Sequence, residues 1–417
     1  MNETLKNHPI TKSAVYLLKW SAFALIAGGI GGLLGGAFSW CIRTVTGLRT
    51  GQPWIVALLP LAGLIIVFLY KITGEEKNRG TNMVLSAISE KDEVTKPTGP
   101  LIFVSTVLSH LGGASVGREG AALQLGGWLG ARLSELVRLD EKDRRSAIMC
   151  GMAAVFAALF GTPVAAAVFC IEVISVGTFY YAALVPCILS AFTGSYISHL
   201  LGAHAEAWTI LSVPDVSPGT LGLSVLLGLL CAILATVLVV TLHKAEHLAK
   251  KALPNPFVRV LICGALFAGL TLLLRDQSYT GAGTVLIDAA MAEQVRWQDF
   301  LLKLAFTAIA IAGGFRGGEI VPTLAIGATF GALFGQITGF PVSLSAACGM
   351  IALFAGATNC PIASMLIAME MFHGEGLPYF AVTVSLSFVL SGYYSLYGSQ
   401  RFSFSKTRVE MIDRKSN

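Results

Sequence analysis

Charge is what this sequence has little of: Asp, Glu, Lys and Arg together make up 13% of its 417 residues. A soluble domain carries about a quarter. So little charge cannot keep a chain of this size wet, and a soluble globular fold is excluded. No polar stretch is long enough for a separate soluble domain. Residues 74–97, 134–145, 243–259 and 276–282 read as loops. The eight cysteines include no CxxC pair and lie in or beside apolar stretches, so they read as buried, inert thiols and suggest no metal site. No cofactor motif is present, and a net charge of +5 is too modest to imply a nucleic-acid partner. The first apolar run is longer than a signal-peptide core and lacks a small-residue cleavage pattern behind it, so it reads as a retained helix.

What fills the chain instead is apolar sequence, 54% of it. Runs long enough to cross a bilayer, roughly 20 residues, recur throughout, for example at 14–40, 54–70, 221–242 and 258–274. The 45 glycines fit membrane helices that pack closely or break. Lys6, Lys12 and Lys19 precede or enter the first run, and Arg401, Lys406, Arg408, Arg414 and Lys415 follow the last. By the positive-inside tendency both termini are expected to be cytoplasmic.

An internal repeat organises the rest. Gly151, Pro163 and Glu172 answer to Gly349, Pro361 and Glu370 at a constant offset of about 200 residues, within similar apolar runs. Upstream, the glycine-rich break Gly112–Gly120 answers to Gly313–Glu319, each with a Glu ahead of a new apolar helix. Two broken halves of this kind point to a repeat transporter with its site between them.

A glycine-rich break inside an apolar stretch starts a new helix at membrane depth, tolerated only where the backbone is buried or lines a wet cavity. Its free N–H groups and dipole favour an anion, and Arg118 and Arg316 add positive charge nearby. Glu119 and Glu319 are therefore candidates for gating and proton coupling. An ionised Glu there is costly, but at a helix start it can occupy the anion's place, and protonation lets it leave. The plainer alternative is a Glu that only caps its helix, and for Glu172 and Glu370 that plainer role is the expected one. Gly113–Gly117 also satisfies GxSxG, with His110 nearby. Without a preceding strand the pattern is weak evidence for a serine hydrolase, and no catalytic role is expected.

These residues carry a resemblance. Gly117-Arg118-Glu119-Gly120 looks like the GREG motif of the CLC family of anion channels and anion/proton antiporters, whose Glu is the external gate. Gly317-Gly318-Glu319-Ile320-Val321-Pro322 is similar to the family's second anion motif. Phe160-Gly161-Thr162-Pro163 and Asn359-Cys360-Pro361 resemble its repeated Pro helices, and Ser391–Tyr397 its late segment, whose final Tyr lines the central site. The resemblance spans about residues 20–400. Chloride-type members carry GSGIP in the first motif, where this chain has Gly80-Thr81-Asn82-Met83-Val84. Chloride/proton exchangers have an internal proton Glu where this chain has Val173, and chloride-type members are apolar where Glu319 stands. These departures resemble the fluoride-exporting clade, although Val321 stands where that clade often has Thr.

The resemblance implies an all-α polytopic fold, an inverted-repeat bundle with broken helices around a central anion site. It divides the chain into a cytoplasmic tail 1–13, halves 14–210 and 211–400, and a cytoplasmic tail 401–417. It implies fluoride/proton antiport, with a chloride channel or chloride/proton exchanger as the alternative, in a homodimer within a bacterial inner or plasma membrane. The anion would sit among Gly80, Thr81, Asn82, Met83, Gly117, Arg118, Gly120, Gly318, Ile320, Val321 and Tyr397. Either Thr81 or Asn82 would hold the position of the family's central Ser.

Overall fold

Backbone immersed in hydrocarbon has only its own carbonyls to bond, so long apolar runs become helices. The computed structural model describes residues 9–90, 92–203 and 205–417; Lys6 lies outside them. The first eight helices are α1 (Pro9–Gly51), α2 (Leu59–Ile72), α3 (Thr81–Ser89), α4 (Thr98–Gly112), α5 (Glu119–Leu136), α6 (Glu141–Phe160), α7 (Pro163–Glu172) and α8 (Leu184–Leu200). Eight more follow: α9 (Pro218–Ala252), α10 (Pro256–Leu274), α11 (Thr284–Met291), α12 (Asp299–Gly313), α13 (Ile320–Thr338), α14 (Val342–Thr358), α15 (Pro361–Met371) and α16 (Leu377–Leu390). Among the described residues, six helical segments are long and apolar enough to cross a membrane, the longest being Lys12–Gly51 and Pro218–Ala252.

Packing follows the sequence repeat. In one set α5 packs on α6, and α6 on α8, with α1 against both α6 and α8. In the other α13 packs on α14, and α14 on α16, with α9 against both α14 and α16. Small residues let these helices approach. A Cβ on Gly31 or Gly35 of α1 would lie 2.7 or 2.6 Å from the Cβ of Ala154 or Ala158 in α6. With no hydrophobic drive between helices in lipid, such close contact supplies the attraction.

α7 and α15 have 10 and 11 residues, about 15 Å of rise, so each reaches only partway through a bilayer. Each begins at a Pro, which fits a first turn. Each leaves N–H groups unbonded at its start, and the other helix satisfies them. The Glu172 carboxylate, at the end of α7, accepts from the N–H groups of Ile362 (3.1 Å) and Ala363 (2.7 Å). The Glu370 carboxylate, at the end of α15, accepts from Val164 (3.0 Å) and Ala165 (2.8 Å). The structural role expected of both residues is therefore a reciprocal cap between the halves.

Four loop or tail expectations are corrected, the first being the stretch 134–145, most of which is the end of α5 and the start of α6. The polar stretch 74–97 contains α3, and α9 continues through the supposed loop to Ala252. The final segment is not a loose tail. Strands β2 (Arg401–Phe404) and β3 (Met411–Lys415) pair antiparallel, and β1 (Ser175–Val176) joins β2 in parallel. Buried Gln400 anchors this sheet, donating to the carbonyls of Val173 (3.0 Å) and Thr358 (2.8 Å) and accepting from Asn359 (3.0 Å). Lys415 pairs with Glu90 at 2.7 Å, and that partner holds the Glu90 carboxyl below its ordinary range. These contacts join residues far apart in the sequence, which is why local patterning does not announce them.

Candidate functional site

The two glycine-rich breaks meet at the centre of the molecule. α4 and α12 end in left-handed glycines, Gly113 (φ 84°) and Gly314 (φ 91°). The chains then cross as an antiparallel bridge: Gly117 N–H donates to the Gly318 carbonyl (2.6 Å), and Gly318 N–H to the Gly117 carbonyl (2.7 Å). A Cβ on Gly120 would lie 2.6 Å from Gly318 Cα, so only glycine permits this approach. One expectation is corrected here. The Gly117 and Gly318 N–H groups are each spent on the other residue's carbonyl, so the backbone donors left at the crossing are the N–H groups of the first residues of α5 and α13.

Two cavities flank this crossing. The first, about 560 Å³, is lined by Gly80, Thr81, Asn82, Gln124, Gly318, Glu319, Tyr397 and Ser399, with Lys77, Arg79, Lys250, Arg259, Arg316 and Lys415 around it. The second, about 640 Å³, is lined by Arg43, Arg49, His110, Arg118, Glu206 and the loop 277–285. They open at opposite ends of α10: Arg259 near its start belongs to the first, Gln277 beyond its end to the second. Eighteen residues of rise put these ends about 27 Å apart.

Glu119 stands in the partition. Its side chain is 1% exposed. Oε1 accepts from Arg118 Nε (3.3 Å), and Oε2 is buried without a hydrogen-bond partner, over Gly117. Arg118 is itself held by Ser39 Oγ (3.3 Å), the Leu159 carbonyl (3.3 Å) and the Glu206 carboxylate. Glu319 is partly buried and lines the first cavity. Across that cavity, Tyr397 is 1% exposed and its hydroxyl is buried with no partner.

The first-motif residues divide. The Thr81 hydroxyl is engaged with α5: it lies 3.3 Å from the Gly120 carbonyl and 3.3 Å from Gln124 Nε2. Asn82 Oδ1 accepts from the N–H (3.0 Å) and hydroxyl (2.9 Å) of Ser399. With its oxygen pinned there, the amide end left to present is the donor. Gly80, Thr81, Asn82, Gly318, Glu319 and Tyr397 come together on one cavity. Arg118 lies on the other, while Gly117, Gly120 and Glu119 belong to the partition. Ile320 and Val321 are buried behind the α13 start, and Met83 packs in the core without lining either cavity.

Sequence reasoning passed over Gln124, Glu206 and Ser399. Gln124, a lone amide in an apolar helix four residues after Gly120, carried a usable signal; Glu206 sits in an irregular segment and carried none. The GxSxG pattern resolves into packing. The Ser115 hydroxyl pairs with Thr307 Oγ1 (2.8 Å), and His110 Nδ1–H donates to the Thr106 carbonyl (2.9 Å).

Comparisons with known proteins agree with this architecture. A family model described as voltage gated chloride channel matches residues 62–392. A chloride/fluoride channel protein of Pseudomonas syringae pv. tomato is 32% identical over 398 residues, covering 94% of this chain and 88% of its own length. An H(+)/Cl(-) exchange transporter of Vibrio cholerae is 28% identical over 396 residues, covering 88% of this chain and 85% of its own. The crystal structure of a CLC-type fluoride/proton antiporter superimposes with a TM-score of 0.89 at 32% identity, covering 95% of this chain and all of that one.

Proposed function

This chain belongs to the voltage-gated chloride channel (CLC) family, and from that membership and the geometry of its centre we propose that it exchanges fluoride for protons across a membrane. The observation that carries this reading is the Glu119 carboxylate, buried between two cavities with one oxygen unpartnered. An ionised carboxylate there occupies the place an anion would need. Protonation removes its charge and weakens its hold on Arg118, so the side chain can leave and the partition opens. One group thus links anion passage to proton movement.

Glu319 is the second acidic group, on the cavity beyond the crossing, and it receives the proton or contacts the anion from that side. The donors proposed for the anion are the amide of Asn82, the hydroxyl of Tyr397 and the first N–H groups of α5 and α13. Asn82 rather than Thr81 takes the central polar position, because the Thr81 hydroxyl is already bonded into α5. Gly80 opens the α3 start beside it, and Gly117, Gly120 and Gly318 provide the close crossing. Fluoride is small and tightly hydrated, and a cluster of strong donors is what replaces its water. The likeness to a CLC-type fluoride/proton antiporter at 32% identity supports this choice.

Chloride is the second reading. Val321, buried at the start of α13, offers no side-chain donor, and a weakly hydrated halide tolerates that better.

We further place the cavity holding Tyr397 on the cytoplasmic side with both termini, the other cavity outside, the halves at 14–210 and 211–400, and the chain in a plasma-membrane homodimer with one pathway per subunit. The test is anion efflux from liposomes holding the purified protein, read with fluoride and chloride electrodes and a pH probe together. Fluoride efflux with opposed proton movement is expected. Equal chloride efflux would move the chain to the chloride-type members, and absent proton movement would make it a channel.

A further inference from the structure

Arg118 serves two carboxylates. Its Nε donates to Glu119 Oε1 (3.3 Å) and its Nη2 to the Glu206 carboxylate. Its other partners, Ser39 Oγ and the Leu159 carbonyl, are neutral. All three charged side chains are shielded: Glu119 is 1%, Arg118 13% and Glu206 15% exposed. Among the described residues, Arg118 is the one cation within ion-pair distance of Glu206, and Glu206 Oε2 is buried without a hydrogen-bond partner.

Glu206 is fixed in place from both halves of the chain. It belongs to the segment 205–217, which has no helix or strand and leads into α9. Toward the first half, Glu206 N–H donates to the Phe160 carbonyl (3.1 Å). Beside it Gly161, at a left-handed φ of 72°, leaves no room for a Cβ against Ala205. Toward the second half, Trp208 N–H donates to the Met371 carbonyl (3.1 Å), Trp208 Nε1 to Asp288 Oδ1 (2.8 Å) and Leu211 N–H to Ser343 Oγ (3.0 Å). So tied, an irregular segment places a carboxylate as firmly as a helix does.

With both carboxylates ionised, this shielded trio holds one negative charge in excess. A proton on Glu119, the more enclosed of the two, makes it neutral. A buried charge is costly unless it is paired, so Glu206 favours the protonated, mobile Glu119 and keeps Arg118 paired after Glu119 leaves. Without Glu206, ionised Glu119 and Arg118 are already a neutral pair, and protonating Glu119 strands the guanidinium. We propose that Glu206 is a positioning residue of the gate: it holds Arg118 between two carboxylates and lets Glu119 release at a higher pH than the Arg118–Glu119 pair alone allows. The assignment rests on Glu119 as the proton-binding partition. The other charged or titratable groups around the crossing are Arg43 and the enclosed Arg49 of α1, His110 of α4, the enclosed Lys303 of α12, Glu319 and, across the first cavity, Tyr397. α3 brings none, and the charged side chains of α6 lie in its first turns, at the far end from Leu159.

The experiment is the pH dependence of anion efflux from liposomes holding the full chain, read with fluoride and chloride electrodes. Wild type is compared with Glu206→Gln and Glu206→Asp, and Glu206→Gln is repeated in a Glu119→Gln background. Melting temperatures report that each variant is folded. In Glu206→Gln the pH of half-maximal efflux should move toward acid by about one unit. Glu206→Asp keeps the charge one methylene further back and should move it less, in the same direction. The shift should vanish in the Glu119→Gln background. A Glu206→Gln profile that overlays the wild type, or a shift that persists undiminished without the Glu119 carboxylate, overturns the proposal and leaves the gate reading standing. Glu119→Gln efflux as pH-dependent as the wild type overturns the gate reading and this proposal together. Should Glu206→Gln fail to fold, Glu206→Asp decides, and an unmoved profile overturns the proposal. Should Glu119→Gln carry no efflux, the two single variants at Glu206 decide.

Discussion

Replacing Glu172 by Gln separates a structural carboxylate from a proton-handling one. Its two oxygens accept N–H groups of Ile362 and Ala363 at 3.1 and 2.7 Å, in a site almost closed to solvent. A hydrogen bond to a charged partner contributes about 1.5–3 kcal/mol, and the charge at the start of α15 adds about 0.5 kcal/mol. Gln keeps one acceptor oxygen and turns an NH2 group toward the other N–H. Partial relief of the buried charge offsets some of that loss, leaving a destabilisation of about 2 kcal/mol. Ala removes both acceptors and is expected to cost about 4 kcal/mol. Thermal denaturation of the purified protein in detergent reads the loss. The proton-to-anion ratio in liposomes should stay unchanged, because the carboxylate faces backbone N–H groups and neither cavity. A Gln variant with wild-type melting but no proton coupling would refute the cap and make Glu172 a proton carrier.

Tyr397→Phe removes the unpartnered buried hydroxyl and should weaken anion binding about tenfold, the worth of one strong hydrogen bond, as read by titration calorimetry; unchanged affinity would move the anion elsewhere. Gly120→Ala places a Cβ 2.6 Å from Gly318 Cα, so transport should fall sharply with a stability loss of about 1–3 kcal/mol, and normal flux would mean the crossing is not rigid. Glu90 has a folded pKa lowered by its Lys415 hydrogen bond. The stability it lends to the docked terminal strands is therefore present above the ordinary carboxylate range and lost as pH falls through the lowered value. In Lys415→Ala that contribution should be largely absent, so protease cleavage after β2 should be faster at neutral pH and lose most of its acid dependence.

Much of this architecture was legible because it is written locally. Apolar runs give helices, a glycine cluster gives a break, and the offset of about 200 residues gives two like halves. The Glu after each break was legible for the same reason: a carboxylate inside apolar sequence needs a reason. What pairs across the halves was not. The Gly117–Gly318 bridge spends N–H groups that a single break leaves free in principle, and Glu172 caps a helix whose first bonded N–H, at Ile362, is 190 residues away. The terminal sheet depends on Gln400 finding carbonyls at Val173 and Thr358, which no period in the sequence encodes. Arg49 and Lys303 look like ordinary helix-end and interfacial cations until packing shows them enclosed.

The most direct test of the central claim is the simultaneous flux of fluoride and protons in liposomes carrying wild-type protein or Glu119→Gln. Opposed fluxes at a fixed ratio in the wild type, with the proton flux abolished in Glu119→Gln, are expected from a carboxylate that is both partition and proton carrier. Proton movement that persists unchanged in Glu119→Gln would contradict that role.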